Sequence, residues 1–212
     1  MLLPFGLVVL SYVIGSIPFS YIVARVVGGT DIRDVGSGNV GATNVARSVG
    51  KSAGVLALLL DILKGAVAVW LARTITERDA WPWDIHGGSV LESQSFWIGI
   101  AALAAILGHM YPVWLRFHGG KGVATAGGIF LAISPIATAG SAIIFLIVAL
   151  LTRYVSLGSI MAAASMPLFL RYLTGEPFWT IIFSIIIAVM IIVKHRRNIY
   201  RIAQGDERKF PQ

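Results

Sequence analysis

Long apolar runs separated by short polar segments dominate the chain. The runs cover residues 2–24, 53–72, 96–115, 123–151, 155–170 and 178–193. Most of them approach or exceed the roughly 20 residues that an α-helix needs to cross a hydrocarbon core of about 30 Å. We therefore predict an all-α fold, a polytopic membrane helix bundle. No basic segment precedes the first run, so we expect a retained helix and not a cleaved signal peptide.

The run of residues 123–151 is too long for a single span, because as one helix it would measure about 43 Å. Ser134 precedes Pro135 near its middle, and the residue before a proline is pushed out of helical geometry. We predict a break there, which gives seven transmembrane spans instead of six. The first piece, residues 123–133, is short, and we expect it to be tilted or shielded by protein.

The distribution of charge also favours seven spans. With the N-terminus outside and seven spans, 13 of the 17 Lys and Arg residues lie on the inner face and three on the outer face. With six spans, the tail and its basic residues would move to the outer face. The positive-inside rule therefore favours seven spans and a cytoplasmic C-terminus. The connection 74–95, which carries Trp81 and Trp83, is expected to lie on the outer headgroups.

Composition narrows the class of protein further. The chain is 57% hydrophobic and only 13% charged, about half the charged fraction of a soluble domain, and its mean hydropathy is +0.81. This excludes a free soluble enzyme, a secreted disulfide scaffold and a disordered tail. The lack of cysteine excludes thiolate nucleophiles and cysteine-ligated metal sites. The net charge of +7 suits lipid headgroups or an anionic substrate better than nucleic acid. We expect one domain over residues 1–212.

Three polar stretches reach the same face in this topology. They are loop 1 (residues 36–47), loop 2 (residues 119–125, at the start of a span) and the tail segment (residues 195–207, directly after the last span). Glycines let backbone amides approach an anion, and a helix N-terminus adds a favourable potential. Lys121 and Arg47 add positive charge. We predict two facing sites for two phosphates, or for one phosphate and a developing oxyanion.

Two motif matches in these stretches are rejected. Gly36, Gly38 and Gly41 satisfy G-x-G-x-x-G, with Asp61 20 residues beyond. A dinucleotide site needs a preceding strand in a soluble βαβ unit, whereas Asp61 lies in a membrane helix. The sequence at residues 50–52 resembles the end of a Walker A loop, but Val45 replaces its first glycine.

Structural explanations compete with the functional one. Glycine-rich segments often serve helix packing in membranes, and a basic tail often serves topology and lipid attraction. Asp61 and Lys64, three residues apart in one span, form either a functional pair or a structural ion pair. His109 is a candidate buried hydrogen-bonding group. The convergence of three stretches on one face favours a functional site.

These stretches carry a family resemblance. GSGNVGATN, GGKGVAT and HRRNI-x-R-x-x-x-G-x-E resemble the three signature motifs of the acyl-phosphate-dependent glycerol-3-phosphate acyltransferases of bacterial membranes. Segments 61–65 and 108–112 are also similar to that family. The resemblance runs in order from the first span to the tail. His118 departs from it, because a lysine is expected before the glycine pair.

The resemblance implies acyl transfer from acyl phosphate to the 1-hydroxyl of glycerol 3-phosphate, the first acylation of phospholipid biosynthesis. The products would be lysophosphatidate and phosphate. It places a multi-pass enzyme in the bacterial inner membrane, among membrane lipid, with its active site on the cytoplasmic face. Neither coenzyme A nor acyl carrier protein would be required. Independently, no His is followed five residues later by Asp, so the His–Asp dyad of other glycerolipid acyltransferases is absent.

The resemblance also assigns roles to residues. Lys121 and its flanking glycine amides would hold one phosphate, and Ser37 with Arg47 the other, with the substrate of each left open. His195 and Asn198 would orient the glycerol hydroxyls, and either His195 or a substrate phosphate oxygen would take the proton. Glu207 lies among arginines, which favours an ion pair that folds the tail. The further expected substrate-binding residues are Gly36, Gly38, Asn39, Gly41, Thr43, Asn44, Gly119, Gly120, Gly122, Thr125, Arg196, Arg201 and Glu207.

No cofactor and no metal site are expected, because the few acids and histidines lack ligand spacing. The alternative function is a transporter of a phosphorylated or anionic solute, since broken spans with glycine-rich ends build anion sites in transporters. Transporters tend to place binding groups near the midplane, whereas these motifs cluster at one interface. A purely structural scaffold would not need Lys121, Arg47 and the glycines together.

Overall fold

The computed structural model describes residues 2–78, 81–83, 89–91 and 93–210, which form ten α-helices and one 3₁₀ turn, Val113–Leu115. The helices are α1 (Leu2–Ser16), α2 (Phe19–Gly28), α3 (Ala42–Ser48), α4 (Lys51–Thr76), α5 (Gln94–Met110), α6 (Val123–Ile133), α7 (Pro135–Thr152), α8 (Val155–Tyr172), α9 (Phe178–Lys194) and α10 (Arg196–Gln204). Of the predicted outer connection, residues 79, 80, 84–88 and 92 lie outside the described residues.

The predicted all-α, multi-span fold is confirmed. Five helical segments of the described chain are long and apolar enough to cross a membrane: Leu2–Gly28, Lys51–Thr76, Gln94–Leu115, Pro135–Thr152 and Val155–Tyr172. A sixth candidate joins α9 to α10 across a bend of 52°. Helix α6 has only 11 residues and is shorter than a full span. The count of seven spans and their orientation stay predictions.

The helices break at two X-Pro steps, of which the sequence predicted one. Ser134 is extended (φ −146°, ψ 90°) between α6 and α7, as expected. The first run also breaks, at Ile17 and Pro18 between α1 and α2. The run predicted as one helix is therefore two helices, although Leu2–Gly28 still forms one candidate span, as expected. The physical cause is the same at both places, because the proline ring excludes the preceding residue from the helical region.

The chain forms two compact units, one ending at Ala132 and the other beginning at Ile133. In the first unit α1 packs against α5, and α4 packs against both. Gly15 and Gly108 let α1 and α5 touch through their backbones, since a Cβ at Gly108 would collide with the Tyr12 carbonyl. A core cluster seats loop 1 against α2 and α4. Its members are Val23, Ala24, Ile32, Val40, Val45, Ala53, Ala57 and Leu115.

In the second unit α8 packs between α7 and α9. Many large apolar side chains are exposed on these helices, including Leu150, Leu151 and Leu168, as expected for surfaces that face lipid tails. The Phe210 amide donates to the Arg153 carbonyl at 2.8 Å, which fastens the end of the tail to the turn between α7 and α8.

Candidate active site

The side chain of Asn44 holds loop 1 in its folded form. Its Nδ2 group donates to the carbonyls of Ile32 (3.0 Å), Val35 (3.1 Å) and Asn39 (3.1 Å), and its Oδ1 accepts from the Ser37 amide (2.9 Å). Asn44 is only 3% exposed. These bonds satisfy loop carbonyls that could not otherwise be buried. The side chain that the sequence predicted to bind substrate thus organises the loop from within.

The remaining loop 1 residues surround this centre. Gly36 and Gly38 have φ of 63° and 68°, a left-handed conformation that favours glycine. Ser37 is exposed, and its Oγ lies 3.5 Å from the Asn39 amide. The loop then turns at Gly41 into α3, which carries Thr43 and Arg47, both half-buried.

Loop 2 is fastened to the end of α5. The Gly119 amide donates to the Met110 carbonyl at 3.2 Å, and the Gly120 amide donates to the His109 carbonyl at 3.1 Å. These two amides are therefore committed to the protein's own backbone. The first intrahelical bond of α6 runs from Ala126 to Gly122. The amides of the first turn of α6, just after Lys121, are thus the main-chain donors that could serve an anion.

Loops 1 and 2 meet at Gly120. A Cβ on this residue would collide with the Val40 carbonyl of loop 1 and with Nε2 of His109. Only glycine allows the two backbones and the histidine ring to approach so closely. The structure thus brings Lys121 and the loop that carries Ser37 into the same part of the first unit.

Gly120→Ala should therefore separate the two loops. We expect kcat/KM to fall by about a hundredfold, because a displacement of about 1 Å in a catalytic site can cost that much. Gly127→Ala is the matched control, since Gly127 lies nearby in α6 and a Cβ added there would meet open space. Steady-state kinetics of both purified variants would check this. Similar activity of the two variants would contradict the requirement for contact at Gly120.

Helix α6 places Lys121 through its packing against α4. A Cβ on Gly65 would collide with the Thr125 carbonyl, and one on Gly128 would collide with the Ile62 carbonyl. Thr125 is fully buried in this contact. Its Oγ1 has no hydrogen-bond partner within the described part of the chain. Lys121 itself is half-buried just before the N-terminus of α6.

The tail segment lies in the second unit and is folded around Glu207. Asn198 Nδ2 donates to Glu207 Oε1 at 2.6 Å, and Ser156 Oγ donates to the same oxygen at 2.7 Å. Arg201 Nε pairs with Oε2 at 2.7 Å. The expected ion pair of Glu207 is thus formed, with Arg201. Arg196 and Arg197 are exposed.

The hydrogen bonds to Glu207 control the stability of the tail as pH changes. Burial alone would raise the pKa of this carboxyl, but the bonds from Asn198, Arg201 and Ser156 outweigh burial and lower it. The stabilisation is therefore present above the ordinary glutamate pKa of about 4.3 and is lost as pH falls through the lowered value. Glu207→Gln should lower the unfolding temperature at pH 7 and flatten its decline on acidification. Thermal unfolding in detergent at several pH values would check this, and an unchanged acid decline in the variant would contradict it.

His195 occupies the bend between α9 and α10. It is 2% exposed, and its Nδ1 lies 2.8 Å from the Ile191 carbonyl. A carbonyl only accepts, so Nδ1 is the donor. In the neutral ring Nε2 then carries the lone pair. This is the arrangement that lets a histidine accept a proton from a hydroxyl.

A cluster of charges before loop 1 was missed by sequence reasoning. Arg25 and Arg33 both bind Asp31, at 2.9 and 2.7 Å. The Arg33 guanidinium holds the pKa of Asp31 well below its usual range, and Asp31 in turn raises the pKa of Arg33. The cluster fixes the chain between α2 and loop 1. An i, i+2 charge spacing in a loop was the only sequence signal for it.

A second polar cluster lies inside the first unit, at Asp61, Lys64 and His109. Asp61 and Lys64 form an ion pair of 2.6 Å. His109 Nδ1 lies 3.7 Å from the same carboxylate. Within the described ranges, no group of three or more His, Asp or Glu side chains could hold a metal ion.

The fold and these loops define a class: a multi-pass membrane protein with glycine-rich, cationic loops suited to phosphorylated substrates. The sequence model of the family described as glycerol-3-phosphate acyltransferase matches residues 5–205. The chain belongs to this family and is an integral membrane glycerol-3-phosphate acyltransferase. This decides against the transporter alternative.

Individual relatives cover nearly the whole chain. A glycerol-3-phosphate acyltransferase of Geobacter sulfurreducens is 44% identical over 204 residues, 96% of both chains. One of Aquifex aeolicus is 43% identical and covers 96% of this chain and 97% of its own. The crystal structure of PlsY (YgiH), an integral membrane glycerol 3-phosphate acyltransferase, in its glycerol 3-phosphate form matches with a TM-score of 0.85 at 42% identity. It covers 98% of this chain and 95% of that one. Its lysophosphatidic acid form matches with a TM-score of 0.83 at 41% identity.

Proposed function

We propose that this enzyme transfers the acyl group of an acyl phosphate to the 1-hydroxyl of glycerol 3-phosphate. The products are lysophosphatidate and inorganic phosphate, and neither coenzyme A nor acyl carrier protein takes part. The observation that carries the proposal is the contact of loops 1 and 2 at Gly120. This contact supports the proposal because it brings the loop that carries Lys121 next to the loop that carries Ser37 and Arg47.

The chemistry needs alignment more than a nucleophilic side chain. Phosphate is already a good leaving group, so the 1-hydroxyl oxygen can attack the acyl carbonyl carbon directly. The C–O bond to the glycerol forms, a tetrahedral oxyanion develops, and the bond to phosphate breaks. Holding the two substrates in this geometry supplies much of the rate enhancement, and donors aimed at the oxyanion supply more. The reaction therefore needs no thiol nucleophile, which agrees with the absence of cysteine from the sequence.

The residues divide this work between them. Lys121 and the first-turn amides of α6 hold one phosphate, while Ser37, Arg47 and the neighbouring donors Asn39 and Thr43 hold the other. Asn44 acts through the shape of loop 1, as its buried hydrogen bonds indicate. The glycines at 36, 38, 41 and 122 allow the backbone to approach the substrates, whereas those at 119 and 120 allow loop 2 to pack against α5 and loop 1.

The tail supplies the proton acceptor and the orientation of the acceptor substrate. His195 Nε2 accepts the proton of the 1-hydroxyl, since its Nδ1 is held by the Ile191 carbonyl. Asn198 orients the glycerol hydroxyls, and Glu207 with Arg201 fixes Asn198 in place. Arg196 adds positive charge near the headgroups.

The same proposal includes a topology. Seven crossings, with α6 as a short one, place the N-terminus outside and the active site on the cytoplasmic face of the bacterial inner membrane. The whole chain then acts as one catalytic domain. The excess of Lys and Arg on the inner loops supports this orientation.

Cysteine labelling tests the topology cleanly, because the natural chain has no cysteine. Leu3→Cys and Gln204→Cys would each be treated in spheroplasts with a membrane-impermeant maleimide. We expect labelling of Leu3→Cys alone in intact spheroplasts, and of both after permeabilisation. Equal labelling of both in intact spheroplasts would contradict an odd number of crossings.

The choice of donor is tested with one labelled palmitoyl group on three carriers. Purified enzyme and glycerol 3-phosphate would receive palmitoyl phosphate, palmitoyl-coenzyme A or palmitoyl-acyl carrier protein. We expect labelled lysophosphatidate from palmitoyl phosphate alone, with the acyl group on the 1-hydroxyl by NMR. Efficient transfer from either thioester would overturn the proposed donor class.

A further inference from the structure

An ion pair is buried in the first unit at a depth where charges are costly. Lys64 Nζ and Asp61 Oδ1 are 2.6 Å apart, and the two residues are 3% and 1% exposed. Removing two charges from water costs as much as their attraction returns, so a buried pair is weak evidence for stability. Polar groups inside membrane helices more often mark function. The partners of the pair indicate what that function is.

Both members of the pair bind the break between α1 and α2. Lys64 Nζ donates to the Ile17 carbonyl at 3.0 Å, and Ser20 Oγ donates to Asp61 Oδ2 at 2.8 Å. Pro18 interrupts the helix there, and the Ile17 carbonyl at the break also accepts from the Phe19 amide at 3.0 Å. The Lys64 ammonium gives this carbonyl a second, charged donor and so fastens α4 to the break.

His109 links the pair to loop 2. Its Nδ1 lies 3.7 Å from Asp61 Oδ1. Its Nε2 would collide with a Cβ on Gly120, and its carbonyl accepts from the Gly120 amide at 3.1 Å. One residue thus contacts the buried carboxylate with one edge of its ring and the residue before Lys121 with the other.

The same groups line one small pocket. Its lining includes Ile17 and Pro18 of the helix break, Asp61, Lys64 and His109 of the cluster, and Val40 and Gly120 of the two loops. The helix break, the ion pair and both loops therefore adjoin one another within the first unit.

We propose that Asp61, Lys64 and His109 are positioning residues for the phosphate-binding loop that carries Lys121. The ion pair fixes the helix break and the His109 ring. The ring in turn fixes the position of Gly120 relative to Val40. Lys121 follows directly in the chain, so its ammonium is placed by this support. The consequence for catalysis rests on the proposed role of Lys121, whereas the support of the loop does not.

The double variant Asp61→Asn/Lys64→Met distinguishes a role in positioning loop 2 from a role in the stability of the whole fold. Both charges are removed together, so no uncompensated charge stays buried, and side-chain volume is nearly conserved. Hydrogen–deuterium exchange would be followed by mass spectrometry on peptides covering residues 116–125. We expect exchange there to rise severalfold in the double variant and in His109→Gln. Ser141→Ala, a buried polar change within the second unit, should leave it unchanged.

Kinetics of the same variants test the effect on the substrate. Lys121→Arg first identifies which substrate Lys121 holds, as the one whose KM rises. We expect the KM of that same substrate to rise about tenfold in His109→Gln and in the double variant, with kcat within threefold of wild type. Combined with Lys121→Arg, His109→Gln should be non-additive, as expected for residues that share a contact network.

The outcomes are distinguishable. Unchanged exchange at residues 116–125 in His109→Gln would overturn the support of the loop, whatever the kinetics. A fall in kcat and unfolding temperature together, with KM and exchange unchanged, would reduce the cluster to a stabilising one and would also overturn it. If Lys121→Arg alters neither KM, the proposed role of Lys121 fails, while the exchange measurement still decides the positioning role. If the double variant does not fold, His109→Gln decides alone.

Discussion

Lys121→Ala should reduce kcat/KM by at least about a hundredfold while the protein still inserts and folds. The residue is half-buried within loop 2, two residues before the start of α6, where a cation and first-turn amides act on one anion. Removing a single preorganised donor to developing charge costs about 10² to 10³ in rate, and a full charge in a partly dry site should cost no less. Lys121→Arg should recover part of this loss, because it restores charge with a different geometry.

Lys51→Ala is the matched control for this prediction. Lys51 is also a lysine at the start of a helix, but it is exposed. The two variants would be compared by phosphate release and by their unfolding temperature in detergent. Near-normal turnover of Lys121→Ala in folded protein would remove Lys121 from the phosphate site.

His195→Gln should lower kcat by about 10² to 10⁴, the usual contribution of a general base, with a smaller effect on KM. The glutamine amide can still orient a hydroxyl, but it cannot take a proton at neutral pH. Single-turnover kinetics with saturating substrates would separate the chemical step from binding. His118→Gln is the control, since His118 is exposed beside loop 2. Turnover of His195→Gln within tenfold of wild type would instead make a substrate phosphate oxygen the proton acceptor.

The helical segments could be predicted because an apolar run must reach a minimum length before a helix can cross the membrane. The break at Ser134 followed from the same reasoning, since its run exceeded the length of one span. The break at Ile17 was missed because the first run has a plausible length for a single helix, so Pro18 was not needed to explain it. Its significance depends on Lys64, which is 47 residues away in sequence.

The chemistry of the site could be predicted from its local motifs, but its internal support could not. Lys121 and Arg47 stand in short segments whose residue types already indicate anion binding. Asn44 looked like a further ligand, and only its four hydrogen bonds, two within loop 1 and two to the segment just before it, reveal a structural role. The link from Asp61 through His109 to Gly120 joins three segments that only tertiary packing brings together.

The central claim is that an activated donor and an aligned acceptor suffice for acyl transfer. The most direct measurement supplies purified enzyme with palmitoyl phosphate and glycerol 3-phosphate in detergent or lipidic mesophase, without coenzyme A or carrier protein and with a metal chelator. We predict phosphate release that requires both substrates and equals the lysophosphatidate formed. Phosphate release without glycerol 3-phosphate, or no release from folded protein, would contradict the account.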